Sequence, residues 1–171
     1  MYKNAIVKVL IVLAVPLLLR TYGCSSAKDS SKFAVEAAQG GLTEVELGKV
    51  AMRNATDPSV KEFGLRMVSD HSRANDELKS IAAQKNIQLP AEVSSSQKSL
   101  IDKLSKLSGA EFDKEYMADM VKDHEEDVAA FETQAKDGGT AEIKEFAGKT
   151  LPTLKSHLEM AREVAKKVGA R

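Results

Sequence analysis

An eleven-residue motif occurs twice in this chain and constrains its fold more than any other feature of the sequence. The first copy, at 61–71, reads KEFGLRMVSDH, and the second, at 114–124, reads KEYMADMVKDH. Both begin with Lys-Glu and end with Met-Val-x-Asp-His, and they lie 53 residues apart, about the length of one helical hairpin. The spacing predicts a duplicated pair of helices with His71 and His124 in equivalent positions.

Composition favours a single all-α domain. The 171 residues are rich in Ala, Lys, Glu and Leu, aromatic residues make up 5%, and tryptophan is absent, which is typical of helix bundles. The net charge is zero over the whole chain, and the part from Cys24 onward has 22 basic and 25 acidic side chains because Lys3, Lys8 and Arg20 precede it. Such a mildly acidic surface gives no electrostatic reason to expect a nucleic acid partner.

The first 23 residues are predicted to be a signal peptide of the lipoprotein type. Two lysines precede an apolar run at 9–19, which is too short to cross about 30 Å of bilayer as a helix. The single cysteine, Cys24, follows this run and a glycine, in a pattern that resembles a bacterial lipoprotein lipobox. Tyr22 is bulky where Ala or Ser is usual and Arg20 interrupts the pattern, so ordinary secretion and an uncleaved anchor are the alternatives.

We therefore expect an exported protein that is periplasmic or anchored to the outer membrane through a lipid on Cys24. Residues 24–31, which include four serines, are expected to be a flexible spacer. With one cysteine, no disulfide can form within the chain.

Hydrophobic periodicity predicts a domain at 32–169, with four long helices in an up-down bundle and a short helix in the crossover between the second and third. Asp57-Pro58 is expected to cap the second helix, Asn86 to end it, and Ser108–Glu111 to form a capping box. Pro152 predicts a kink in the fourth long helix. The predicted bounds are Ser31–Ala55, Pro58–Lys85, Ser96–Leu107, Ala110–Lys136 and Thr140–Val168.

The three histidines of the chain, His71, His124 and His157, all occupy apolar stripes and should point into the bundle. Glu44 lies on the inward stripe of the first helix, among small residues that favour close approach of a neighbouring helix. Each of the four lies 11–17 residues from either end of its predicted helix. Because the midpoints of bundle helices share one level, one glutamate and three histidines are predicted to converge in one core layer.

Two explanations fit such a layer, because leaving a polar group buried and unpaired costs roughly 1–3 kcal/mol. In the first, the layer binds one divalent transition metal ion (Zn, Fe, Mn or Cu), since three imidazoles and a carboxylate suit these metals. In the second, it is a closed hydrogen-bond network that fixes helix register.

Five further residues are predicted to support the layer. Asp70 and Asp123 precede His71 and His124, but point about 100° away around the helix, and so should serve neighbouring helices. A methionine lies one turn from each histidine, either as soft sulfur that favours copper(I) or as an adaptable core filler; these are Met67, Met120 and Met160.

Several phrases together resemble the bacterial exported family called domain of unknown function 4142, over about Phe33 to Val168. They are 41–48 (GLTEVELG), the two Met-Val-x-Asp-His copies with Asn75 after the first, and 154–158 (LKSHL). The resemblance implies a ferritin-like four-helix bundle and no established activity. Ferritin-like di-iron enzymes use Glu-x-x-His on two helices. Here Val68, Val121 or Leu154 stands three residues before each histidine, so a carboxylate-rich di-iron centre is not supported.

The leading hypothesis is metal binding at Glu44, His71, His124 and His157, in envelope metal handling or a stress response. The alternative is a structural or interaction bundle whose polar layer only fixes register. An enzyme that uses the histidines as acid or base ranks third, because the sequence contains no nucleophile-base motif, phosphate loop or Cys/His zinc motif. The sequence identifies no protein partner and leaves homo-oligomerisation open.

Overall fold

The chain is all-helical in the part that the structure, a computed structural model, describes. This part is residues 23–170, with side chains from Asp29 onward. It contains no strand, and its helices are α1 (Gly23–Asn54), α2 (Pro58–Gln84), α3 (Ser95–Leu104), α4 (Gly109–Asp137) and α5 (Ala141–Val168). The predicted all-α class is confirmed. Residues 1–22 of the predicted signal peptide and the side chain of Cys24 lie outside the described part, in which no helix has an apolar stretch long enough to cross a membrane.

Four long helices form a bundle made of two tightly packed hairpins. Three-residue loops join α1 to α2 and α4 to α5, and each hairpin packs more extensively within itself than against the other. The ends of α2 pair with the opposite ends of α5: Lys85 Nζ lies 2.6 Å from Glu142 Oε1, and Lys167 Nζ lies 2.8 Å from Asp57 Oδ1. Helices α2 and α5 are therefore antiparallel neighbours.

The connection that contains α3 carries the chain back along the bundle. The buried Asp113 carboxylate near the start of α4 accepts hydrogen bonds from the backbone N–H groups of Thr56 and Asp57 at the start of α2. Helices α2 and α4 thus begin at the same end and run in the same direction, on one diagonal of the bundle. Directions along the chain are up, down, down and up rather than strictly alternating, because residues 85–108 are long enough to return to the first end.

Local capping explains both ends of α2 and the start of α3. Asp57 accepts a 2.8 Å hydrogen bond from Ser59 N with Pro58 at the first helical position, and Asn86 has φ +55°, so both predicted ends of α2 are confirmed. Ser94 and Gln97 form a capping box at α3. The capping box predicted at Ser108–Glu111 is wrong: Ser108 is the N-cap, but its side chain makes no capping hydrogen bond, and the chain enters α4 through Gly109 at φ +66°.

The start of α1 differs from the prediction. The helix begins at Gly23, so residues 24–31 are helical rather than a flexible spacer. Contacts with the other hairpin account for the difference: Ser30 is fully buried and its Oγ accepts a 3.1 Å hydrogen bond from Thr140 N. Phe33 packs edge-on against Phe131, with ring centroids 4.9 Å apart. The loop that contains Thr140 thus covers this stretch at Ser30.

Helices α1 and α2 cross at van der Waals distance through glycines. A Cβ atom added at Gly48 would lie 2.5 Å from the carbonyl oxygen of Gly64, and one added at Gly64 would lie 2.7 Å from Cβ of Ala51. The close approach expected from the small residues of α1 is confirmed. It occurs one turn after Glu44 and brings that side chain within reach of α2.

Candidate metal centre

Four buried polar side chains meet in the middle of the bundle, one from each long helix. They are Glu44 from α1, His71 from α2, His124 from α4 and His157 from α5, all between 0% and 6% exposed. The centroids of the three imidazole rings lie 5.4–5.9 Å apart in every pairing. The structure therefore brings together every residue that the sequence placed in this layer.

The layer divides the apolar core into two clusters. The upper cluster, at the α1–α2 loop end, includes Phe63, Tyr116 and Leu47, and the lower one includes Phe33, Phe131 and Phe146. Phe63 packs edge-on against the ring of His124, with centroids 6.0 Å apart. Large apolar side chains therefore lie on both sides of the polar layer.

Each imidazole has one ring nitrogen against an acceptor and one without a hydrogen-bond partner. The first set of contacts is His71 Nδ1 with Glu44 Oε2 at 2.8 Å, His124 Nδ1 with the Met120 carbonyl oxygen at 2.9 Å, and His157 Nε2 with Asp70 Oδ2 at 2.9 Å. The nitrogens without a partner are His71 Nε2, His124 Nε2 and His157 Nδ1. An N–H that donates on one side fixes the tautomer and leaves a lone pair on the other, as in histidines that bind metals.

Glu44 supplies negative charge to the layer. Its Oε1 lies 3.3 Å from His124 Nε2, in addition to the 2.8 Å contact of its Oε2 with His71 Nδ1. Burial by itself raises the pKa of Glu44, but the attraction of His71 and His124 outweighs it and lowers the pKa below its usual value. The carboxylate is therefore ionised.

Two of the three histidines are held neutral. Burial lowers the pKa of His157 to about 4 despite the hydrogen bond to Asp70, and burial also lowers the pKa of His124. For His71 the effect of burial is outweighed by Glu44, which raises its pKa. Neutral imidazole is the form that binds metals.

Asp70 lies beside the centre as predicted, since it contacts a histidine of a neighbouring helix. Its carboxylate accepts a hydrogen bond from His157 on α5, and it also forms ion pairs with Arg73 at 2.6 Å and Arg66 at 3.5 Å. Asp123 lies near Glu44 on α1 and near His124 on its own helix. One of its oxygens lies within 4.8 Å of a ligand atom of each.

The three methionines lie in or against the upper apolar cluster. Met67 and Met120 are fully buried in the upper apolar cluster and Met160 packs against that cluster. The described contact of Met120 with His124 is made by its carbonyl oxygen rather than its sulfur.

A cleft between α2 and α5 reaches the layer from the surface. Its volume is about 550 Å³, and its lining includes Asp70, His71 and His157, with Arg66 and Arg73 among its charged residues. Helix α5 continues through Pro152, which also lines this cleft. Two of the three histidines thus line the cleft.

Sequence reasoning named Asp123 as a residue beside the layer but missed Asp119 and Asp127, two further acids on α4 that the charge of Glu44 affects. Burial and then the charge of Glu44 raise the pKa of Asp127 to about 7 and that of Asp123 to about 9. Asp119, one turn before Asp123, also has a raised pKa. The recurrence of aspartate every four residues on α4 was the signal that could have identified this set.

Comparisons with known proteins agree with the fold. A crystal structure of a DUF305 fragment from Deinococcus radiodurans superposes with a TM-score of 0.71 over 81% of this chain and 96% of that chain, at 12% identity, which supports a shared fold alone. No curated protein matches at a significant level. A model of the domain of unknown function DUF4142 matches residues 23–164. The chain therefore belongs to the DUF4142 family.

Proposed function

We propose that this protein binds one divalent transition metal ion through His71, His124 and His157, for metal handling or a stress response in the cell envelope. The carrying observation is that three buried imidazoles each have one ring nitrogen against an acceptor and the other without a hydrogen bond; of these second nitrogens, His124 Nε2 lies 3.3 Å from Glu44 Oε1. Ligand nitrogens of the three lie within 4.8 Å of one another. Tetrahedral ligands at the Zn–N distance of about 2.0–2.1 Å are about 3.4 Å apart, so each nitrogen needs to move toward the centre of the three by at most about 0.8 Å.

Glu44 completes the electrostatics of the proposed site. Its carboxylate contacts His71 and His124 but has no described contact with His157. It can orient the His71 ring and offset part of the positive charge of the ion, or bind as the fourth ligand that the sequence predicted. If it does not bind, the fourth position belongs to water or a small solute from the α2–α5 cleft, since His71 and His157 line that cleft.

Unpaired atoms favour metal binding over a polar layer that only fixes register. A hydrogen-bond network that fixes helix register is stable when every buried polar group in it has a partner. Each buried polar group without a partner lowers the stability of the protein by about 1–3 kcal/mol. Three ring nitrogens of this layer make no hydrogen bond. One ion would satisfy all three at once.

The test is a titration of the purified protein with Zn²⁺, Cu²⁺, Fe²⁺ and Mn²⁺, monitored by thermal melting and metal analysis. An ion that binds only the folded state stabilises it by about 2.7 kcal/mol at one hundred times its Kd. We expect His71→Ala, His124→Ala and His157→Ala each to abolish the shift. Met160→Leu, which removes a thioether but no imidazole, should retain it. The absence of a shift with every ion, or a shift that persists in the histidine variants, would favour the structural alternative.

We also propose that the protein is exported and attached to a membrane through a lipid on Cys24, on the strength of the apolar run at 9–19 and the cysteine after it. Mass spectrometry of the membrane fraction should find a lipid-modified N-terminal cysteine. Cys24→Ser should release the protein from the membrane. An unmodified Cys24 with the preceding residues still attached would contradict the proposal.

A further inference from the structure

The cleft between α2 and α5 carries positive charge in a chain that is otherwise mildly acidic. Its charged lining residues are three bases and two acids, namely Arg66, Arg73, Lys149, Asp70 and Glu77. The part of the chain from Cys24 onward has 22 basic and 25 acidic side chains, so the lining has the opposite sign to this part as a whole. Charge of one sign gathered in a concave site attracts small solutes of the other sign. The cleft is therefore suited to an anion.

The excess charge of the cleft lies at its two arginines. Farther along α2, Glu77 Oε1 pairs with Lys149 Nζ at 3.0 Å, and these two charges offset each other. Arg73 and Arg66 instead share the single carboxylate of Asp70, at 2.6 Å and 3.5 Å. Two guanidinium groups thus face one carboxylate, which leaves an excess of one positive charge.

The arginines can exchange Asp70 for a ligand at a small cost in free energy. The side chains of Arg66 and Arg73 are 46% and 75% exposed. Ion pairs of exposed side chains contribute only about 0–1 kcal/mol each, so a guanidinium group can turn away from Asp70. A guanidinium group has five N–H donors in a planar fork, and this fork matches the two oxygens of a carboxylate.

The cleft is large enough for a small organic molecule. Its volume of about 550 Å³ falls within the range of about 300–1,000 Å³ that is usual for ligand pockets. On the α5 side its lining combines the hydroxyl-bearing Thr150, Thr153 and Ser156 with the apolar Pro152 and Leu154. A mixed lining of this kind suits the body of an organic molecule whose anionic group is held by the arginines.

Polar atoms without hydrogen bonds lie in the wall of the cleft that adjoins the polar layer. His71 and His157 line the cleft, and His71 Nε2 and His157 Nδ1 make no hydrogen bond. One oxygen of Asp70, Oδ2, contacts both His157 Nε2 and Arg66 Nε. A ligand held by Arg66 therefore lies close to His157.

We propose that the α2–α5 cleft binds a small organic carboxylate, whose carboxylate group pairs with the guanidinium groups of Arg66 and Arg73. One carboxylate carries one negative charge, which matches the excess charge of the cleft, and its planar shape matches the guanidinium fork. The rest of the molecule occupies the remaining volume between α2 and α5. The ligand binds to the metal-free protein, so the inference is independent of the three-histidine metal site.

The experiment is isothermal titration calorimetry of the metal-free, full-length protein with acetate, succinate and citrate at low ionic strength. At least one of the three should bind with a stoichiometry of one per chain. Arg66→Gln and Arg73→Gln should each weaken this binding at least tenfold, because each removes a charged group that donates two hydrogen bonds to a carboxylate. Thr153→Trp leaves both arginines in place but narrows the cleft, and it should weaken binding of the same ligand at least tenfold.

Arg162→Gln is the matched control, because Arg162 is an arginine of α5 that does not line the cleft. Its side chain is 56% exposed and pairs with Glu125 at 2.7 Å. The control should bind the ligand within twofold of wild type, and circular dichroism should show that every variant is folded.

Three results would overturn the proposal. They are an absence of binding by all three carboxylates, equal binding by wild type and Arg73→Gln, and tighter binding of inorganic phosphate than of any carboxylate. The Zn²⁺ titration tests the metal site separately: carboxylate binding without zinc binding would refute the three-histidine site alone, and zinc binding without carboxylate binding would refute the carboxylate site alone.

Discussion

Replacing Gly48 with alanine tests whether the close crossing of α1 and α2 builds the site. The added methyl carbon would lie 2.5 Å from the Gly64 carbonyl oxygen and 2.9 Å from Cγ2 of Val68. The nearer atom is backbone in the middle of a helix, which cannot rotate away as a side chain can. The two helices must therefore separate, one turn from Glu44.

The expected magnitude follows from two opposing effects. Glycine to alanine within a helix stabilises a protein by roughly 0.5–1 kcal/mol. Overpacking a tight contact costs about 1–3 kcal/mol, and a contact with rigid backbone belongs at the upper end of this range. We expect Gly48→Ala to lower the free energy of unfolding by about 2 kcal/mol. For a protein of this size the melting temperature should then fall by about 4–8 °C.

Two other glycines of α1 supply matched controls. A Cβ atom added at Gly40 has no neighbour within 4 Å, so Gly40→Ala should raise stability by about 0.5–1 kcal/mol. At Gly41 the contact is the movable side chain of Asn75, and the effect should be intermediate. Urea unfolding, monitored by circular dichroism, gives the order of stability of the three alanine variants. Stability of Gly48→Ala equal to or above that of Gly40→Ala would refute the reasoning, and so would unchanged metal affinity in a destabilised Gly48→Ala protein.

Three further predictions concern the loops and the cleft. Asp113→Ala should destabilise the protein by about 1–3 kcal/mol in urea unfolding, because it leaves the N–H groups of Thr56 and Asp57 without their acceptor; the exposed Lys114→Ala should change stability by less than about 0.5 kcal/mol. The hydrogen bonds from Lys167 and Ser59 lower the pKa of Asp57 to about 2. The ionised Asp57 carboxylate therefore stabilises the folded state above pH 4, and this contribution disappears as the pH falls toward 2. The difference in melting temperature between wild type and Asp57→Asn should therefore shrink over that interval, and a constant difference would contradict this assignment. Thr153→Trp should narrow the α2–α5 cleft and slow metal binding and release in stopped-flow measurements without changing the equilibrium affinity, whereas unchanged rates would mean that ions enter elsewhere.

The helices and the polar layer were predictable because their signals are local. An inward histidine near each of three helix midpoints defines a common level once the helices pack side by side, whatever their directions. The Asp57 cap and the Asn86 stop depend on residues next to them in the chain.

Other features depend on contacts between distant parts of the chain. The serines before Phe33 look solvated in sequence, but Ser30 is buried by the loop that contains Thr140. Asp127 looks like an ordinary surface acid in sequence, and its burial becomes apparent only when α1 lies against α4. The sequence also could not predict which ring nitrogen of each histidine makes no hydrogen bond, because this depends on which acceptor lies against the other ring nitrogen.

The three imidazoles differ in what orients them. His124 bonds to the carbonyl of its own helix and is oriented wherever α4 is helical. His71 takes its orientation from Glu44 within the first hairpin, while His157 takes it from Asp70 in the opposite hairpin. The ligand set is therefore complete only after the two halves of the chain have docked. An ion bound by all three would act as a cross-link between the halves, and chelating it would loosen their mutual attachment before either hairpin unravels.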